Sequence, residues 1–227
     1  LAAKMMTAII TNSRTQIDLI HESYNPKLVF PLLAEYHNFD LMEHANIAKA
    51  SVVFVNIPDD AEKLVFLINA QKIFQKRVPF AVILDDTELA STFASTGADF
   101  VLAKNDIASK MIASCSFEPD SSKYMEDLMA SAVTDDDFDI QEYRVVPQNP
   151  YMGMHYTDAF FDLKIKHDAI LIGISKYRGE GAERELLKNP DDPKLTIERN
   201  YYLILIVSGK VGDNIERIFG IEEGSIR

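Results

Sequence analysis

Short runs that are apolar on both faces recur through the first half of the chain, at 6–11, 27–33, 51–57, 80–85 and 99–103. The segments between them, 14–24, 39–45, 60–75 and 87–95, have helical character. Buried strands alternating with helices at this spacing predict a doubly wound α/β fold, a parallel sheet covered on both faces. After Lys104 the rhythm changes. Segments 106–116 and 122–132 read as two helices, with Pro119 breaking the run between them. The acidic stretch Thr134-Asp135-Asp136-Asp137-Phe138-Asp139 concentrates like charge and predicts an exposed linker. Beyond it, 140–146, 169–175, 194–197 and 201–208 read as strands and 157–166 and 213–219 as helices, a small α+β module. Its turns are expected at Gly179-Glu180-Gly181 and Asn189-Pro190-Asp191-Asp192-Pro193. The expected organisation is therefore 1–104, 105–139 and 140–227.

Composition narrows the function. With 227 residues and 47% of them hydrophobic, the chain can build proper cores. A net charge of -12 repels phosphate backbones and anionic bilayers, so no nucleic-acid partner is expected. The lone Cys115 excludes an internal disulfide and reads as a small buried hydrophobe within an apolar helix. The apolar runs are too short to cross a bilayer. The opening Leu1-Ala2-Ala3-Lys4-Met5-Met6 reads as an internal start, so a longer parent protein is expected.

The glycine map removes one class of chemistry. The first glycine is Gly97, so no G-x-G-x-x-G loop follows any of the early strands, and hydride transfer has little support. None of the five histidines forms an H-x-x-H or H-E-x-x-H pattern, and no serine sits in a G-x-S-x-G elbow. No enzyme machinery is visible. A two-component receiver is excluded by order, since Asp85-Asp86 and Lys104 follow successive late strands rather than the early and middle ones that chemistry needs.

The acidic loop ends are more informative. Asn56-Ile57-Pro58-Asp59-Asp60 and Asp85-Asp86-Thr87-Glu88 both follow strands and are expected on one rim. Asp60, Asp85, Asp59, Asp86 and Glu88 supply only oxygens, which suits calcium or magnesium. The same pattern also fits helix N-caps at Asp60 and Asp86 or Thr87. Glu35 follows the second strand and reads either as a ligand contact or as a solvated acid. Met111, Ile112, Cys115 and Phe117, then Tyr124, Met125, Leu128 and Met129, form apolar stripes that fit a second subunit or the chain's own sheet.

The stretch 40–55, with Leu41-Met42-Glu43-His44-Ala45-Asn46-Ile47-Ala48-Lys49-Ala50 at its heart, resembles the "L-x-x-A-x-I-x-x-A" segment of RCK domains, also called KTN or TrkA-N domains. Thr96-Gly97-Ala98-Asp99-Phe100-Val101 is similar to their "G-A-D-x-V", and the helix pair that follows to their crossover. From about Ile140 the chain resembles the accompanying TrkA-C module, through Asp168-Ala169-Ile170-Leu171-Ile172-Gly173-Ile174 and the segment from Asn189-Pro190 to Leu203-Ile204. On that alignment 6–11 is the family's second strand, with the first strand and its glycine loop absent from the chain. Asn12 or Ser13 takes the place of the ribose-binding acid, and Ala34-Glu35 that of Gly-Asp, which makes Asn12 and Glu35 the candidate nucleotide contacts. Asp60 and Asp85 match carboxylates of calcium-gated members, while one family ligand position falls on Ile83.

The resemblance implies a non-enzymatic, ligand-sensing domain on the cytoplasmic side of the cell membrane. It would form a homodimer through the crossover helices and a larger gating ring. Its further partner would be the pore-forming membrane domain of a potassium channel in the same protein. Calcium or a nucleotide (NAD, ATP or ADP) would be its ligand. The alternatives are a regulatory nucleotide-binding subunit of a potassium uptake transporter, a nucleotide-dependent oxidoreductase, and an interaction module that only holds subunits together.

Overall fold

The computed structural model describes residues 6–75, 78–130, 132, 134–177 and 184–224. The chain forms two compact units, Leu1–Lys110 and Met111–Arg227. The division falls within a helix, Lys104–Phe117.

The first unit runs β1 (Thr7–Thr11), α1 (Arg14–Ser23), β2 (Val29–Leu33), α2 (Phe39–His44), β3 (Val53–Val55), α3 (Asp60–Phe74), β4 (Phe80–Leu84), α4 (Ala90–Thr96), β5 (Phe100–Ala103) and the start of α5 (Lys104–Phe117). All its ladders are parallel, β1 with β2 and, separately, β3 with β4 with β5. Side chains cap the helices where the sequence turns polar. Gln16 donates its N–H to Ser13, Leu41 to Asn38, and Glu62 to Asp59. Asp59, rather than Asp60, is thus the N-cap of α3, which leaves the Asp60 carboxylate to other partners.

The family-like Gly-Ala-Asp run has a direct physical reading. Gly97 ends α4 at φ 106, the left-handed region, where a side chain is strained. Ala98 is buried, and Asp99 both donates its N–H to the Phe80 carbonyl at 2.9 Å and accepts from the Phe80 N–H at 2.8 Å. One short motif therefore turns the chain and fastens β5 beside β4.

The core of this unit packs Val55, Phe80, Val82 and Leu84 of the sheet against Phe66, Leu67, Ala70 and Phe74 of α3 and Phe93 of α4. Ile10 of β1, Tyr36 beyond β2 and Phe39 of α2 pack against the same cluster, so β1 shares this core although, among the described residues, no ladder joins it to β3. In a parallel pair, alternate residues bond to opposite sides. Thr7 donates to Leu28 and Val53 to Pro79, so Ala8, Ile10 and Phe54 turn their backbone groups toward edges that no strand occupies among the described residues. On the face opposite the core, Phe54, Phe100 and Leu102 are exposed.

The second unit contains the rest of α5, then α6 (Pro119–Met129), β6 (Phe138–Arg144), α7 (Tyr156–His167), β7 (Ile170–Lys176), β8 (Glu185–Lys188), β9 (Tyr202–Ser208) and α8 (Gly209–Phe219). Its sheet is antiparallel, in the order β6-β9-β7-β8. The alternating burial of β6 and β9 sends Tyr143, Leu203, Leu205 and Val207 inward onto Ala159 and Leu163 of α7 and Ile215 and Phe219 of α8. A Rossmann-like parallel sheet followed by an antiparallel module is thus the observed architecture.

Several expectations for this half shift. Pro119 opens α6 at its first turn instead of separating two helices, because a helix's first N–H groups need no intrahelical partner. Segment 194–197 is not a strand: Leu195 and Ile197 bond the turn before α7, and only a His155–Thr196 bridge results. Glu185–Lys188 supplies the fourth strand instead. Helix α8 begins four residues earlier than its polar pattern indicated, at Gly209. A Cβ there would meet Thr134 O at 2.6 Å, and one at Gly212 would meet Gln141 Oε1 at 2.7 Å, so these glycines serve close packing rather than a turn. Asp139, expected in an exposed linker, is buried in β6 and accepts the Ala132 N–H. Cys115 is exposed, since α5 buries none of its residues. Gly179-Glu180-Gly181 lies outside the described residues.

Candidate functional site

The carboxyl ends of β3, β4 and β5 bring Asp60, Asp85, Asp86 and Lys104 to one rim. Asp60 sits at its centre. Its Oδ2 accepts the N–H groups of Asp85 at 3.1 Å and Asp86 at 3.0 Å, and its Oδ1 accepts Lys63 Nζ at 2.6 Å. Lys63 is 3% exposed. Lys104 pairs with Asp85, and Asn105 Nδ2 donates to the Asp85 carbonyl at 2.7 Å. Burial pushes the Asp60 carboxyl up, but the Lys63 hydrogen bond, the Asp86 N–H and the nearby ammonium groups outweigh it, and its pKa falls below the ordinary value. Two lysines thus pair with two of the rim's three carboxylates, Asp60 and Asp85.

The five acids expected around a cation are spread over different tasks. Asp59 caps α3, Asp86 caps the short 3-10 turn Thr87–Leu89 by accepting the Glu88 N–H, and the Glu88 side chain is exposed. Among the described residues no three His, Cys, Asp or Glu side chains group so as to hold a metal ion. Sequence reasoning overlooked Lys63 as a partner of Asp60. Their i,i+3 spacing on one helix face was the available signal.

At the ends of β1 and β2 the structure brings together the two residues expected at a nucleotide. Asn12 Nδ2 donates to Glu35 Oε2 at 3.2 Å. The neighbouring Tyr36 hydroxyl donates to Glu62 Oε2 at 2.8 Å, which ties the end of β2 to the first turn of α3. The Glu62 carboxylate that holds this hydroxyl, with some burial, raises the Tyr36 pKa. Asn12, Glu35, Tyr36 and Glu62 therefore line the same strand-end rim as Asp60 and Asp85. This is the side of an open α/β sheet at which ligands bind. The arrangement offers hydrogen-bond acceptors for hydroxyls and ammonium groups for anions, and no glycine-rich phosphate cradle.

The comparisons with known proteins bear on this geometry. No curated protein matches the sequence. Residues 1–104 match the TrkA-N domain family. They form a TrkA-N domain. Over 94% of its length the chain superimposes on the human SLO3 gating ring, with a TM-score of 0.66 at 11% identity, and spans 41% of that chain. The GsuK RCK domain matches 95% of the chain at 14% identity and a TM-score of 0.39, with 46% of that chain spanned. The GsuK channel bound to NAD matches 96% at 14% identity and a TM-score of 0.38, with 39% spanned. The chain thus covers less than half the length of each. Only the first likeness bears on the fold, and it extends beyond the TrkA-N domain into the antiparallel module. Among the described residues no helix is long and apolar enough to cross a membrane.

Proposed function

We propose that this chain is the ligand-sensing regulatory module of a potassium channel, a TrkA-N domain and its C-terminal companion acting together on the cytoplasmic side of a pore. The observation that carries this is the continuity of the TrkA-N domain with an antiparallel module, in the order in which the SLO3 gating-ring fold superimposes on 94% of the chain. Copies pair through α5 and α6, where Ile112, Phe117, Tyr124, Met125 and Met129 expose apolar side chains. Such pairs build a ring attached to the membrane domain.

The ligand acts at the strand-end rim by population shift. A molecule that binds one ring geometry better than another biases the pore, and each tenfold preference supplies about 1.4 kcal/mol. A nucleotide such as NAD, ATP or ADP would meet the Asn12–Glu35 pair through its ribose hydroxyls, and its phosphates would lack a glycine cradle. Calcium at Asp60 and Asp85 would have to displace Lys63 and Lys104. Thermal unfolding of the chain with calcium, magnesium, NAD or ATP tests the reading, since a ligand of the folded form raises the midpoint. A calcium shift lost in Asp60→Asn/Asp85→Asn assigns the ion, and a nucleotide shift lost in Glu35→Ala assigns the nucleotide. No shift with any of the four overturns ligand sensing by this rim.

A further inference from the structure

The amino ends of β4 and β5 lie at the opposite end of their ladder from Asp60 and Asp85, and a cavity opens there. Gln71 of α3, Val78, Ala94 of α4, Gly97, Ala98 and Asp99 line its volume of about 200 Å³. Val78 and Ala98 are buried and, with Ala94, give it an apolar wall. The donors of four of these residues are spent. The N–H groups of Gly97, Ala98 and Asp99 go to the carbonyls of Ala94, Phe93 and Phe80, and Gln71 Nε2 donates to the Gly97 carbonyl at 2.6 Å. That last bond fixes the amide's orientation, because a carbonyl accepts only from the NH2 end. Gln71 Oε1 is therefore an acceptor, enclosed and without a hydrogen-bond partner among the described residues. A buried acceptor left in that state is rare and destabilising.

Asp99 adds a charge. One of its carboxylate oxygens accepts the Phe80 N–H at 2.8 Å, and no cation pairs with it among the described residues. The cavity thus presents an unused amide oxygen and an uncompensated carboxylate beside a small apolar wall. The net charge of -12 draws cations toward the chain. A ligand that fits must donate hydrogen bonds, carry positive charge and be short. A single water would donate to Gln71 Oε1, but it fills only ~30 Å³ and leaves the charge uncompensated. A primary ammonium has three donors, enough to serve both acceptors at once. We propose that this cavity binds a small primary alkylammonium ion, with the ammonium between Gln71 Oε1 and the Asp99 carboxylate and the alkyl chain against Val78, Ala94 and Ala98. The site is separate from the strand-end rim and does not depend on what binds there.

Titration of the purified chain with n-propylammonium chloride, followed by proton–nitrogen NMR, tests this. Tetramethylammonium chloride has the charge without the N–H donors, and 1-propanol has the alkyl chain without the charge. Propylammonium is expected to shift the Gln71 side-chain NH2 and the Gly97 and Ala98 amides saturably, and the other two compounds to leave them in place. Asp99→Asn keeps an oxygen for the Phe80 N–H and should weaken binding about tenfold or more. Asp120→Asn, an equal loss of charge far along the chain, should leave it unchanged. Ala94→Phe fills the cavity and should abolish binding. Should either cavity variant fail to fold by circular dichroism, the comparison of the three compounds decides alone. No saturable shift with propylammonium overturns the proposal, since water alone then occupies the cavity. An equal response to tetramethylammonium or to 1-propanol, or unchanged affinity in folded Asp99→Asn, overturns it as well.

Discussion

Lys63 reaches back one turn of α3 to hold Asp60 at 2.6 Å, and the same carboxylate receives the backbone N–H groups of Asp85 and Asp86 at the end of β4. One side chain thereby joins the start of a helix to the end of the neighbouring strand. The ammonium is almost fully enclosed, so the pair is costly to break from either side.

Asp60→Asn and Lys63→Met should each destabilise the first unit by about 3–5 kcal/mol, the range for leaving one member of a buried pair behind. Urea unfolding followed by circular dichroism reads this. A loss within the few tenths of a kcal/mol typical of surface positions would show the pair to be dispensable.

The same pair should set the acid limb of stability. Its folded-state pKa lies below the ordinary value, so the contribution of Asp60 is full above the unfolded value near ~3.9 and is lost as pH falls through the lower folded value. In Asp60→Asn the unfolding midpoint should fall less steeply across that window than in the unaltered chain.

Any calcium at this rim competes with Lys63. Lys63→Met should therefore bind calcium more tightly than the unaltered chain, read as a larger rise of the unfolding midpoint at the same millimolar concentration. Equal responses would show that the ion does not use Asp60.

Gly97→Ala places a Cβ 3.0 Å from Gln71 Nε2 on a backbone at φ 106, so it should cost about 1–2 kcal/mol. Asp99→Ala removes the acceptor of the Phe80 N–H and should cost about 1–3 kcal/mol. Chemical denaturation checks both, and near-neutral values would refute the reading of this motif as a fastening between β4 and β5.

The backbone N–H groups of Ala8 and Phe54 turn toward edges that no strand occupies among the described residues, whereas that of Val53 is held by Pro79. Hydrogen exchange followed by NMR should find Ala8 and Phe54 faster than Val53 by an order of magnitude or more. Slow exchange at both would mean that another segment pairs there.

Much of the fold was legible in local pattern. Buried parallel strands are short apolar runs, so β1 to β5 stood out, and the change of rhythm after Lys104 marked the passage to another kind of module. Asn12 could be named through the family resemblance, and Glu35 because it lies close beyond the end of a strand, where strand ends in a parallel sheet share a rim. Which acids touch which cations was not legible. Asp59 and Asp60 are adjacent and chemically alike, and only the entry angle of α3 makes the first a cap and the second the partner of Lys63. Segment 194–197 shows the same limit, since its apolar residues are buried against a turn and not along a strand.

By itself the sequence determined the alternation of strands and helices, the family likeness of the first half, and the absence of glycines before Gly97. These follow from periodicity and residue type, which act over a few neighbours along the chain. The tertiary structure alone decided that Lys63 neutralises Asp60 and that Asp139 is buried while Cys115 is exposed. Those outcomes depend on which distant surfaces meet, and burial is a property of the packed chain that no local pattern carries.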